Sequence, residues 1–146
     1  MKALYEAVVT SQGGRDGRVK STDGLIDFPV SMPRELGGKG GSTNPEQLFA
    51  AGYAACFESA LLHVGRLKKI AVSGQSVTAK VGIGHNAGGG FQLAVTLQVA
   101  LPTLDEATAK GLVEAAHQVC PYSNATRGNI EVNLEVTAQN QATARL

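Results

Sequence analysis

Two stretches of the chain alternate apolar and polar positions with period two. Val77, Ala79, Val81 and Ile83 form one, and Phe91, Leu93, Val95, Leu97, Val99 and Leu101 the other. Alternation of this kind marks half-buried strands, and the intervening Gly88-Gly89-Gly90 predicts a hairpin turn. Shorter strands are expected over Leu4 to Thr10, in a region reaching about Val30, and at Ile130, Val132, Leu134 and Val136. A helical period replaces the alternation after Asn44-Pro45-Glu46, recurring at Leu48, Phe49, Gly52, Tyr53, Cys56, Ala60, His63, Val64 and Leu67. Asn44 suits the cap, Pro45 the first helical position, and Glu46 the positive end of the helix dipole. A second helix is expected from the capping-box pattern Thr103-Leu104-Asp105-Glu106, with Leu104, Ala107, Leu112, Ala115, Ala116 and Val119 inward. It should stop near Cys120, because Pro121 disfavours helix at the residue before it. The loop Gly37 to Ser42 is too poor in side chains to pack, and the polar tail 139–146 is expected to fray. Strands, helix, hairpin, helix and strand in that order describe a single α+β domain over 1–146 without internal repeats.

Composition narrows the function classes. The 146 residues are 43% hydrophobic, ordinary for a globular protein, with a formal charge of +1. The 13 basic residues are scattered, whereas nucleic-acid binding needs a clustered basic face. Arg66, Lys68 and Lys69 form the densest patch and read as a solvated helix end. No apolar run approaches the ~20 residues that span a bilayer, and Glu6 comes too early for a signal peptide, so a cytoplasmic protein without membrane association is expected. His63, His85 and His117 lack zinc-ligand spacing, so neither metal nor cofactor is expected.

Two cysteines remain. In a reducing compartment they are either inert packing residues or working thiols. Cys56 falls inside the first long helix, where the dipole gives its thiolate little help and burial would raise its pKa. As a nucleophile it needs a cation from elsewhere in the fold; otherwise it is a small buried hydrophobe. Cys120 falls at the expected C-terminus of the second helix, whose negative end favours the thiol form. That suits a resolving thiol, and equally a cysteine filling a corner under a turn.

The stretch from Asn44-Pro45-Glu46-Gln47-Leu48-Phe49 to Cys56, and the stretch Val119-Cys120-Pro121-Tyr122-Ser123-Asn124-Ala125-Thr126-Arg127-Gly128-Asn129, resemble the organic hydroperoxide resistance proteins of the OsmC-like superfamily. Gly13-Gly14-Arg15-Asp16-Gly17, Leu36-Gly37-Gly38 and Val81-Gly82-Ile83-Gly84 extend the resemblance over about Leu4 to Val136. It implies antiparallel sheets with two principal helices in an intertwined homodimer. It also implies a thiol peroxidase acting on alkyl and fatty-acid hydroperoxides. Cys56 matches the family's attacking cysteine and Cys120 its resolving one, while Arg15 matches the arginine that steadies the thiolate and Glu46 the carboxylate that holds it. A dithiol, in this family a lipoyl group on a protein, would reduce the resulting disulfide. Glu58 and Ser59 depart from the apolar or small residues expected there, which bears on substrate preference.

Helix geometry adds one expectation. Ten residues separate Glu46 from Cys56, about 15 Å along a continuous helix and on different faces. Either the helix breaks, or Arg15 and Glu46 serve the Cys56 of a partner chain; the second is the expectation. A redox sensor or binding protein on the same fold, and a structural protein with inert cysteines, are the alternatives. Turnover of hydroperoxide with a dithiol separates the first, and the effect of Cys56→Ser the second.

Overall fold

A computed structural model describes residues 1–139 and 142–146. The chain forms two compact units, Met1–Leu48 and Phe49–Leu146.

The first unit holds an antiparallel sheet of β1 (Val9–Gln12), β2 (Arg18–Ser21) and β3 (Asp27–Pro29), in that spatial order. Between β1 and β2 the chain turns through one 3-10 turn, Gly14–Asp16. Gly17 closes the turn against β1, where a Cβ would lie 1.8 Å from the Gln12 carbonyl oxygen, so no other residue fits. The expected strand from Leu4 begins instead at Val9. Its partner β2 ends opposite Val9 at Ser21, and beyond that only the Thr22 N–H reaches back, to the Val8 carbonyl. Leu4 and Tyr5 are exposed.

Helix α1 (Pro45–Lys68) starts where the capping residues placed it: the Asn44 Oδ1 accepts from the Gln47 N–H at 2.9 Å. It runs unbroken for 24 residues and, by length and composition alone, is apolar enough to cross a membrane, a test that core helices of globular proteins also pass. Its inward stripe is Tyr53, Phe57, Ala60, Leu61 and Val64, at i, i+4, i+7, i+8 and i+11. His63 and Leu67, expected on that face, are exposed.

In the second unit β4 (Ser76–His85) and β5 (Phe91–Leu101) form the expected antiparallel hairpin. Val95, Leu97, Val99 and Leu101 of β5 are all buried, each worth roughly 1.5–3 kcal/mol relative to exposure. Helix α2 (Glu106–Val119) is capped by Asp105, whose Oδ1 accepts from the Thr108 N–H, and not by Thr103. Thr103 belongs to the turn leaving β5, in which the Leu104 N–H already bonds to the Leu101 carbonyl. Helix α2 ends at Val119, and a short helix α3 (Pro121–Thr126) follows with Pro121 at its start. Strand β6 (Val132–Ala138) then pairs in parallel with β5, where the expectation was antiparallel, because α2 and α3 carry the chain back across the sheet first. Of the tail expected to fray, residues 140 and 141 lie outside the described residues, and Ala144–Arg145 is ordered as β7 on β6. The sheet order is β4-β5-β6-β7. Its inner face packs with Tyr53, Phe57 and Leu61 of α1 and Leu112, Val113 and Ala116 of α2 into the core.

Candidate active site

Cys56 sits mid-way along α1, half-buried, and Cys120 is fully buried. Cys120 is the joint between two helices. Its N–H donates to the Ala116 carbonyl and closes α2, while its carbonyl accepts from the Asn124 N–H and opens α3. The expected one-sided field of a helix C-terminus is therefore not what surrounds it. Both thiols are free, and the Cys120 Sγ lies 3.5 Å from the Cys56 Sγ. A disulfide needs about 2.05 Å, so the pair closes by a movement of roughly 1.5 Å. Burial pushes the Cys56 thiol up from its ordinary value; the Tyr122 backbone N–H pulls the other way, and the adjacent Cys120 raises it further.

Arg15 and Glu46 meet within the first unit. Arg15 rides on the 3-10 turn that Gly13 and Gly17 shape, and Glu46 is the second residue of α1. The guanidinium grips the carboxylate with two hydrogen bonds, Nη1 to Oε2 at 2.9 Å and Nη2 to Oε1 at 2.6 Å. The bond to Arg15 holds the Glu46 carboxyl below its usual range against the opposing effect of burial. Glu46 in turn raises Arg15. The Arg15 side chain remains one-third exposed.

Beside Cys56 an aromatic cluster forms from Phe49, Tyr53 and Tyr122, with ring centroids 5.6–6.0 Å apart. Gly52 makes room for it, since a Cβ there would lie 2.5 Å from the Tyr122 hydroxyl. Phe49 and Tyr122 also line a cavity of about 690 Å³, which Phe91, Leu93, Ala125 and Ile130 make largely apolar and Asn86, Gln92 and Asn129 edge with amides. Glu58 turns to Gln75, whose Nε2 donates to it at 3.1 Å. Among the described residues no three His, Cys, Asp or Glu side chains gather as metal ligands would.

The family model described as "OsmC-like protein" matches residues 38–135. The organic hydroperoxide resistance protein of Xanthomonas axonopodis pv. citri is 55% identical over 135 residues, covering 91% of this chain and 94% of that protein. The chain belongs to the organic hydroperoxide resistance branch of the OsmC-like family. Organic hydroperoxide resistance protein OhrB of Bacillus subtilis is 47% identical over 134 residues, 92% of this chain and 98% of that one. The crystal structure of an organic hydroperoxide resistance protein from Legionella pneumophila superposes with a TM-score of 0.90 at 52% identity, covering 93% of this chain and 99% of that chain. The fold expected from the motifs is thus the fold of the family.

Four polar residues near the thiols, Tyr53, His117, Ser123 and Thr126, had no role at the site in the sequence argument. The Tyr53 hydroxyl is hydrogen-bonded to the Ser123 Oγ at 2.9 Å and the Thr126 Oγ1 at 3.1 Å, all fully or nearly fully buried. The Ser123 Oγ also meets the His117 Nδ1 at 2.8 Å. Burial, followed by the charge of Arg127, lowers the His117 pKa and favours the neutral ring. The signal available beforehand was spacing: Tyr53 and Ser123 each lie one helical turn from a cysteine.

Proposed function

We propose that this chain is a thiol peroxidase that reduces organic hydroperoxides to alcohols, with Cys56 as nucleophile and Cys120 as resolving thiol. The observation that carries the reading is the 3.5 Å approach of a half-buried to a fully buried free thiol, the latter followed directly by Pro121 and Tyr122 of a largely apolar cavity. The Cys56 thiolate attacks the distal oxygen of ROOH. The O–O bond breaks, the alkoxide takes a proton and leaves as alcohol, and Cys56 becomes a sulfenic acid. The Cys120 thiol then displaces hydroxide from that sulfur. Water leaves and a Cys56–Cys120 disulfide remains. A dithiol, for which a protein-bound lipoyl group is the candidate, restores both thiols by exchange. Alkyl and fatty-acid hydroperoxides are substrates of the kind an apolar cavity accepts, and the cytoplasm is the proposed compartment.

Burial works against the Cys56 thiolate, so a cation has to stabilise it. We assign that to Arg15, held by Glu46, and place the pair on the partner protomer of a homodimer. The unbroken course of α1 supports this, because it removes the alternative of a kink that folds Glu46 back toward Cys56. The exposed Leu4 and Tyr5 supply apolar surface for a second copy.

The test is a peroxidase assay with tert-butyl and fatty-acid hydroperoxides, comparing dihydrolipoamide with thioredoxin as donor. Wild type is expected to turn over with dihydrolipoamide, and Cys56→Ser to lose the activity; equal activity in the variant would end the proposal. Co-expressing Arg15→Ala with Cys56→Ser chains tests the shared site. Random pairing of two inactive chains in a twofold dimer should recover about a quarter of wild-type activity, since half the dimers then carry one intact site. No recovery would place Arg15 and Cys56 of one chain in the same site.

A further inference from the structure

The Cys56–Cys120 approach links α1 to the residue that caps α3, and Tyr53 links α1 to α3 again through bonds with no assigned purpose. On α1, Tyr53 precedes Cys56 by three residues; on the second strand of the contact, Ser123 follows Cys120 by three. The Tyr53–Ser123 hydrogen bond and the Cys56–Cys120 approach are therefore consecutive rungs of one antiparallel contact, one helical turn apart. A third bond acts on the resolving side alone. His117 lies three residues before Cys120 and Ser123 three after, and their 2.8 Å bond ties the end of α2 to α3 across the cysteine between them. The Arg127 guanidinium closes the same bracket from outside, donating to the His117 carbonyl and to the Asn124 Oδ1.

We infer that Tyr53, Ser123 and His117 are positioning residues for the resolving step, holding the Cys120 sulfur at the distance from which it attacks a Cys56 sulfenic acid. Three observations bear on this. Ser123 and Cys120 have no exposed surface, and Tyr53 has none either, so the bonds are shielded from water and their loss leaves unpaired groups. The bracket spans a joint rather than a helix interior: the His117–Ser123 bond ties α2 to α3 side chain to side chain, beside the backbone bonds through Cys120 and the Arg127 contacts. The network also reaches Cys56 only through helix register, so its influence on the attacking thiol is smaller than on the resolving one.

The inference rests on the peroxidase reading, and its chemistry is the second half-reaction: Cys56–SOH and Cys120–SH give the disulfide and water. Slower resolution leaves the sulfenic acid open to a second hydroperoxide, which oxidises it to sulfinic acid while being reduced to alcohol. Sensitivity to over-oxidation is thus a readout that reports the partition between these two fates.

The experiment mixes reduced wild type, Tyr53→Phe, Ser123→Ala, His117→Ala and His117→Asn with tert-butyl hydroperoxide in quenched flow, followed by intact mass with dimedone trapping. In Tyr53→Phe and Ser123→Ala, disulfide formation is expected to slow about tenfold, the rate equivalent of a lost buried hydrogen bond. Formation of the sulfenic acid should change several-fold less, and sulfinic acid should appear at a lower hydroperoxide dose. His117→Asn keeps an amide near the Nδ1 position and should recover most of what His117→Ala loses. Disulfide formation at the wild-type rate in all variants, or equal slowing of both steps, would overturn the inference while leaving the peroxidase reading intact. A wild type that forms no disulfide with the hydroperoxide would overturn both. Tyr53→Phe retains the buried ring, so a folded variant is available even if Ser123→Ala does not fold.

Discussion

Oxidation of the thiol pair should stabilise this protein substantially, and the amount follows from the geometry. Cys56 and Cys120 are 64 positions apart. Closing a loop of that length removes chain entropy from the unfolded state worth about 4 kcal/mol at 25 °C. Strain in the native state subtracts from this, and the structure argues that the subtraction is small. The sulfurs are already at 3.5 Å, and the backbone around both is helical or capped, so closing the bond asks for side-chain movement and little more. An increase of roughly 2–4 kcal/mol is expected, which for a chain of this length raises Tm by about 6–14 °C. The assay is thermal and urea unfolding of the reduced protein and of protein oxidised by one equivalent of hydroperoxide, at one fixed protein concentration so that self-association cancels. Thiol titration should show two thiols lost per chain in the oxidised sample. A sample that has lost both thiols yet melts at or below the reduced temperature would refute the reasoning: the disulfide would then demand a rearrangement that the reduced arrangement does not prepare.

Gly52→Ala sets two effects against each other. Alanine gains about 1 kcal/mol in a helix interior, but the new methyl would meet the Tyr122 hydroxyl at 2.5 Å and its ring carbon at 3.0 Å. That ring is wedged between Phe49 and Tyr53, and overpacking of this kind costs about 1–3 kcal/mol, so a net loss of roughly 1 kcal/mol is expected from urea midpoints; a more stable variant would show that Tyr122 gives way freely. Glu46 predicts an acid limb. Its folded-state pKa lies below the ordinary 4.5, chiefly through Arg15, so its contribution is complete above that value and is lost as pH falls through the folded one. Subtracting the stability profile of Glu46→Gln from that of wild type should isolate this loss, and two parallel profiles would count against the ion pair.

Much of this was legible where a local rule acts alone. Asn44-Pro45-Glu46 announced α1 because cap, proline and acid each suit one position, and all three are used. The β4–β5 hairpin followed from alternation across a glycine turn. What escaped depended on partners that sequence does not name. Leu4 to Val8 have strand composition, but β2 ends before it can pair with them. Residues 144–145 look like a polar end, yet β6 offers a free edge and they take it. Thr103 and Asp105 both cap well, and only the turn after β5 decides between them. The candidate site divides in the same way. Neither cysteine betrays itself by its own position, since helix interiors and proline turns hold inert cysteines too. Their flanking motifs pointed to them, together with Arg15 and Glu46. The Tyr53–Ser123–His117 bonds stayed hidden because one joins residues 70 positions apart and another crosses a helix joint that periodicity reads as a stop.

The order in which the chain is made gives the buried setting of Cys56 a further meaning. Cys120 is synthesised 64 residues after Cys56, roughly 3–13 s later at ordinary elongation rates. A protein of an organic hydroperoxide resistance family is needed when hydroperoxides are present, so its own nascent chains are exposed to them. A Cys56 oxidised in that interval has no second thiol to rescue it and is on the way to irreversible sulfinic acid. Before folding it is an ordinary cysteine, mostly protonated near neutral pH, and folding of its own protomer pushes the thiol further up instead of waking it. On the proposed reading, reactivity conferred by Arg15 of a second chain would arrive only after both thiols exist. An activating charge placed on another copy would thereby work as a timing device, keeping each newborn chain dormant until it can survive its own chemistry.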